Sequence, residues 1–226
     1  MTPLEAGTAA WPAGADPLAD RRAAERRERM ADFFARASLS ALFMLLAVRI
    51  GREFMETGHL TGLLLLVSEL LVVVLTIARR RATVVDRSPG ARIIATVSIV
   101  GIPFISPTGN GLVPDLATAA VSAVGLAMVI AGKLTLGRSF GLMPANRGIV
   151  CRGVYKVLRH PIYAGYLITH LAFLAAHPSL WNLAVFAVSD TALMVRSIYE
   201  ERTLAKDPEY AEYMSRVRWR VAPGIF

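Results

Sequence analysis

Cysteine is almost missing from this chain: Cys151 stands alone among 226 residues. One thiol excludes an intramolecular disulfide and any multi-cysteine metal centre. Cys151 itself reads as a small apolar filler. Histidine is scarce too; the four present are scattered, so no metal site is expected. Charge is thin, at 19% of residues, against roughly 25% in a soluble domain. Acids are the scarcer sign, 17 against 25 basic side chains, for a formal net charge of +8. There is no P-loop, no G-x-G-x-x-G and no H-E-x-x-H. Ser139 has no base beside it in sequence, which leaves a serine nucleophile unsupported. No alternating β pattern and no internal repeat is visible. Residues 1–32 contain no apolar core segment, so no cleavable signal peptide is expected.

What the chain has instead is long apolar runs, and their clustering is the signature of membrane helices. Six segments stand out, at 34–50, 60–78, 91–106, 114–135, 162–177 and 180–198. About 20 residues at 1.5 Å each span a bilayer. The first is weakest, because Arg36 and Arg49 flank a short core and must snorkel to reach the interfaces. The second carries one acid, Glu69, near its middle. Gly101 and Pro103 predict a kink in the third. The fifth is short and Asp190 breaks the sixth, so these two are expected to form a hairpin around 176–179. The expected fold class is all-α: a polytopic membrane protein of about six transmembrane helices, with five as the alternative. The expected organisation is an N-terminal segment, 1–32, partly disordered, and one helical membrane domain, 33–226.

The loops carry the orientation. Residues 79–92 and 133–160 are strongly basic, 107–114 is uncharged and 51–59 is short and mixed. Six crossings make basic and non-basic loops alternate, with both termini cytoplasmic, and a bacterial inner membrane is the expected setting. That placement accounts for the positive charge, so no nucleic-acid partner is expected. The arginine-rich stretch 21–31 would form a helix suited to an anionic membrane surface, or simply set topology.

The last 95 residues concentrate polar and ionisable groups at and between apolar segments, where such groups are functional candidates. Gly137, Gly141, Gly148 and Gly153 allow close backbone approach to a ligand. Pro161 suits the first turn of the fifth helix, which puts His160 at its N-cap. There it would either cap the helix or face an anionic ligand group drawn to the unpaired N–H groups. Tyr163, His170 and His177 recur every seven residues, close to one helix face. Interhelical hydrogen bonding is the plainer reading of that stripe. Arg196 and Glu200 are one turn apart, while Asp190 and Glu201 share an angular position. Two acids and an arginine at a membrane boundary can orient a cationic cofactor and an acidic substrate; alone, they are an ordinary ion pair.

Together these residues resemble the isoprenylcysteine carboxyl methyltransferase family and the wider membrane phospholipid methyltransferases. The resemblance lies in Leu136-Gly137-Arg138-Ser139-Phe140, Gly153-Val154-Tyr155, and Arg159-His160-Pro161 with Tyr163 and Gly165. It continues through Arg196, Glu200-Glu201 and Leu204 to a closing Tyr210…Pro223-Gly224, over about 120–226. It implies a helical membrane fold binding S-adenosylmethionine as cofactor within 133–226. By matching positions it implies a cofactor pocket of Gly148, Ile149, Val150, Tyr155, His160, Tyr163, Gly165 and Glu201. Arg196 and Glu200 would stand at the acceptor. The first two segments match no part of the family pattern.

The expected function is therefore a membrane-embedded, S-adenosylmethionine-dependent methyltransferase. Its acceptor would be lipid-like or a small hydrophobic molecule entering from the bilayer, an isoprenylcysteine-type carboxylate first among them. The alternatives are an NADPH-dependent membrane reductase of the sterol reductase type and a non-catalytic lipid- or partner-binding membrane protein.

Overall fold

The computed structural model describes residues 17–57, 60–100, 104–106 and 111–224. Two compact units divide the chain, 1–38 and 39–226. Helix α1 (Pro17–Thr57) begins in the first unit and continues into the second. The basic stretch and the first apolar segment thus form one helix rather than two elements. No glycine or proline lies between Pro17 and Gly51 to stop it. Within the first unit Arg36 does not stand alone: it pairs with Asp32 one turn earlier, at 2.7 Å.

In the second unit, α2 (Leu60–Ala78) coincides with the second apolar segment. The strand β1 (Val84–Val85) follows, then α3 (Pro89–Val100). The kink expected at Gly101 and Pro103 falls outside the described residues. Next come α4 (Asp115–Leu136), a 3₁₀ turn at Gly137–Ser139, and β2 (Ala145–Asn146), which pairs antiparallel with β1. A second such turn at Gly153–Lys156 leads to α5 (Pro161–Ala176), α6 (Leu180–Leu204) and α7 (Pro208–Arg216).

The hairpin of α5 and α6 forms as expected, and Ser179 caps α6 by accepting from the Asn182 N–H at 3.1 Å. Asp190 does not break α6. Its Oδ1 lies 2.7 Å from His170 Nδ1 on α5, and a paired acid leaves the helix intact. The helix runs on past 198 through Glu200 and Glu201, because 199–204 contains no helix breaker.

Glycines set the crossing of α4 and α5. A Cβ on Gly165 would lie 2.5 Å from the Gly125 carbonyl oxygen, and one on Gly132 would meet Ile162. Such close approach brings the two helix backbones into direct van der Waals contact. Lys133 on α4 is fully buried and donates to Ser68 on α2, to the carbonyl at 3.0 Å and the hydroxyl at 2.7 Å. Its ammonium also lies over the Tyr166 ring. Phe43, Val72, Val129, Ile162, Tyr163 and Leu193 share the core. At the opposite end from the basic loops, Asn182 receives the Ser106 N–H and donates to the Ser106 and His177 carbonyls.

Outward faces are apolar: Leu45, Val74, Ile93, Leu116, Val124, Leu134, Leu171 and Leu183 are all exposed. That much exposed apolar surface marks contact with lipid or another protein. Among the described residues, one helix is long and apolar enough to cross a membrane, over Asp115–Ser139. Leu66–Ala78, Pro89–Ile99 and Pro161–Ala176 are shorter apolar helices.

Candidate functional site

The site is built where α5 begins and α6 approaches its end. Pro161 opens α5, and His160 before it is non-helical, with φ −128° and ψ 61°. The C-terminal segment meets this stretch: Arg159 N–H donates to the Trp219 carbonyl at 2.9 Å and His160 N–H to the Arg220 carbonyl at 2.7 Å. His160 occupies the N-cap position, yet its side chain makes no capping bond. The ring turns toward α6 and stacks on Tyr163, with centroids 5.1 Å apart.

Two carboxylates on consecutive residues of α6 receive it. Nε2 lies 3.2 Å from Glu201 Oε1, and Nδ1 lies 3.7 Å from Glu200 Oε2. Around them the charges divide into two groups. Glu200 Oε1 accepts from the Tyr163 hydroxyl at 2.7 Å and from Arg196 Nε at 3.0 Å. Glu201 Oε2 accepts from Arg220 Nε at 2.8 Å, and Arg159 Nε stands 2.9 Å from Oε1. The last is an ion-pair distance without hydrogen-bond geometry, so Arg159 Nε is buried with no acceptor aligned to it. Desolvated pairs of this kind are strongly coupled to their partners.

Arg196 keeps capacity in reserve. Its Nε serves Glu200, while Nη1 and Nη2 make only 3.5 Å contacts, to Ser98 Oγ and the Gly141 carbonyl. Those are at the weak limit of hydrogen bonding. The guanidinium is nearly buried and lies over the Tyr163 ring.

Beside this cluster the loop 146–153 folds tightly. Gly148 and Gly153 have φ of 101° and 58°, a region that favours glycine. Asn146 holds the turn: its Oδ1 accepts from the Gly148 N–H at 2.9 Å and its Nδ2 donates to Asp207 at 2.9 Å. Ile149 and Val150 pack against a cluster of three tyrosines, Tyr155, Tyr210 and Tyr213, with Val217. The Tyr213 hydroxyl donates to the Tyr155 carbonyl at 2.7 Å. Burial, and then the Glu200 charge, hold the Tyr155 phenol well above its ordinary range. Burial also raises Tyr210 and Tyr213, so all three act as neutral hydroxyls. The Cys151 thiol is raised by burial first and by Glu209 second.

His160, Tyr163, Arg196, Glu200 and Glu201 therefore converge. Tyr155 lies on the flank of the same cluster and Gly148–Val150 in the adjoining loop. Gly165 does not join them: its open side is filled by α4 at Gly125. Gly141 is likewise occupied, because a Cβ there would collide with the Arg147 guanidinium. Asp190 leaves the group of acids for His170, so the Tyr163–His170 stripe is split between the site and an interhelical bond. His177 Nδ1 is buried with no partner among the described residues. Arg220 was not legible in the sequence, where it sits in an ordinary basic run, 216–220. Arg159 carried a signal, standing beside His160-Pro161, but no role.

Residues 118–210 match the family pattern of phospholipid methyltransferase, the superfamily that the C-terminal residues resemble. No curated protein matches the chain. The matched span holds His160, Tyr163, Arg196, Glu200 and Glu201 and stops short of Tyr213 and Arg220.

Proposed function

We propose that this chain, whose residues 118–210 match the phospholipid methyltransferase family pattern, is a membrane methyltransferase using S-adenosylmethionine. Its acceptor is lipid-like or a small hydrophobic molecule, with a carboxylate of the isoprenylcysteine type as the leading candidate. The observation that carries the reading is the pair Glu200–Glu201, with Arg196 at one carboxylate and Arg159 and Arg220 at the other. One set faces the loop and the C-terminal segment; the other faces the helices.

The donor is an amino acid bearing a sulfonium, so it needs a carboxylate partner, an ammonium partner and a neutral wall. The residues present fit. Arg159, 2.9 Å from Glu201 Oε1 without an aligned hydrogen bond, is a buried cation for which a donor carboxylate can compete. Glu201 offers the negative charge for an ammonium, and Tyr155, Ile149 and Val150 offer the wall. When bound, the donor supplies a methyl group already activated by its sulfonium.

The protein's work is then alignment and exclusion of water. Arg196 Nη1 and Nη2 grip the acceptor carboxylate, and Glu200 fixes the guanidinium through Nε. A carboxylate attacks without losing a proton, so that acceptor needs no base. For an amine or thiol acceptor Glu200 stands ready to take the proton. The basic loops support a cytoplasmic site and cytoplasmic termini, with six crossings and a bacterial inner membrane as the setting. The acceptor enters sideways from the bilayer.

Labelled methyl transfer from S-adenosylmethionine to a panel of isoprenylcysteine, phospholipid-amine and thiol acceptors tests the reading. Transfer to one class identifies the acceptor. Stabilisation by NADPH without transfer would replace this reading with the reductase one. No response to either cofactor would leave a non-catalytic lipid- or partner-binding protein.

A further inference from the structure

The basic side of the molecule carries a second cationic feature, outside the site. Residues 79–92 hold five arginines and one acid, Asp86. That acid accepts from the Ser88 N–H on its own loop at 2.9 Å. The C-terminal ends of α2 and α4 meet here, and both ends carry partial negative charge that attracts cations. Arg80 and Arg138 are tied together by backbone. The Arg80 N–H donates to the Arg138 carbonyl at 2.8 Å, and Arg138 Nε donates to the Ala78 carbonyl at 3.1 Å. Arg80, Arg81 and Arg138 are all exposed. Beside them β1 presents Val84 and Val85, apolar and exposed, as an interfacial segment does.

The positive-inside rule asks only for a count of charges on one side. It does not ask that two helix ends be joined so that Arg80 and Arg138, with Arg81 next in the chain, come together. It also does not ask that one of them border the candidate site. Arg80 Nη1 stands 3.3 Å from where a Gly148 Cβ would be, beside the loop proposed to hold the cofactor.

We infer that Arg80, Arg81 and Arg138 form a docking site for the phosphate of an anionic phospholipid in the leaflet on the basic side. Planar guanidiniums match a phosphate by paired N–H bonds. The surplus of positive charge selects an anionic lipid over a zwitterionic one, whose own ammonium would be repelled. The inference rests on the membrane reading and not on the methyl donor.

The test uses the full chain in phosphatidylcholine nanodiscs with and without phosphatidylglycerol, reading lipid retention by native mass spectrometry. Each arginine near an anionic surface contributes about fivefold in binding, from roughly 1 kcal/mol apiece. Wild type is expected to retain phosphatidylglycerol preferentially. R80Q/R138Q should lose at least tenfold of that preference. The charge-matched variant R152Q/R218Q, exposed arginines elsewhere on the chain, should keep it. Should R80Q/R138Q lower the melting temperature, Arg81→Gln alone reads the site, because no hydrogen bond ties its side chain to the frame; about fivefold is expected. Equal retention by R80Q/R138Q and wild type, or equal loss in the control pair, overturns the inference. A chain that binds S-adenosylmethionine yet shows no lipid preference separates this failure from that of the proposed function.

Discussion

Gly165 separates two roles that one residue cannot fill together. As part of a cofactor pocket it would be small to admit a ligand. In the structure its Cα faces α4, where a Cβ would stand 2.5 Å from the Gly125 oxygen, 2.7 Å from Val129 Cγ2 and 3.0 Å from the Val129 nitrogen. Two of those three atoms are backbone, which cannot swing aside. Gly165→Ala therefore forces the helices apart by about 1 Å, and overpacking of that kind costs about 1–3 kcal/mol. The upper half of that range applies because the obstacle is an α-helix and not a flexible side chain. At about 2–4 °C per kcal/mol for a chain of this length, the melting temperature should fall by roughly 4–12 °C. Far-UV circular dichroism on the detergent-purified protein measures it, with S-adenosylmethionine affinity measured in parallel at low temperature. Gly125→Ala should produce a fall of similar size, since its Cβ would meet the Gly165 oxygen at 2.7 Å. An unchanged melting temperature with cofactor binding lost would refute the packing argument and return Gly165 to the pocket.

The remaining predictions concern the charges and the thiol. Glu201→Gln leaves the buried Arg159 side chain without its countercharge. Removing one partner of a buried pair costs about 3 kcal/mol, with the partly exposed Arg220 contributing little of that. A thermal melt should show the loss, and calorimetry should show S-adenosylmethionine binding abolished; wild-type values in both would remove Glu201 from the pocket. Arg196→Lys keeps the charge and discards the fork, so transfer to a carboxylate acceptor should drop about 100-fold. An equal drop with an amine acceptor would show that Arg196 does not recognise the carboxylate. For Cys151, burial and Glu209 favour the neutral thiol, so less thiolate is present at any given pH than in a free cysteine. Maleimide labelling followed by mass spectrometry should be slow at neutral pH and accelerate only above the ordinary thiol range. Glu209→Gln should speed it at fixed pH.

Much of the helical framework can be read directly from the residues. Leu60–Ala78 is apolar apart from Glu69 and a few hydroxyl side chains, so its ends are where polarity returns. The end of α6 is harder, because Tyr199 to Leu204 is polar by composition and helical by propensity, and the helix outlasts its apolar part. Asp190 misled for a related reason. An acid in an apolar run looks like a break until its partner, His170, is brought opposite by the hairpin. Within the site, Arg196 and Glu200 are legible at their spacing of four. Arg220 is not, since its place beside Glu201 depends on backbone bonds across some sixty residues, from 219–220 back to 159–160. The glycines show the limit most plainly. Sequence gives the missing Cβ at 141 and 165 but not what takes its place, which proves to be an arginine and a helix.

The way α6 is fastened has a mechanical consequence. At its start, Asn182 grips three backbone groups, none of which a ligand replaces. Toward its end, α6 packs on α3, with Tyr199 against Gly90, and meets α5 and the C-terminal segment through Glu200 and Glu201. A charged guest that competes for Arg196 or Arg159 loosens the second fastening and leaves the first untouched. A guest's charge therefore acts on the basic-side end of α6, while the Asn182 end keeps its backbone bonds.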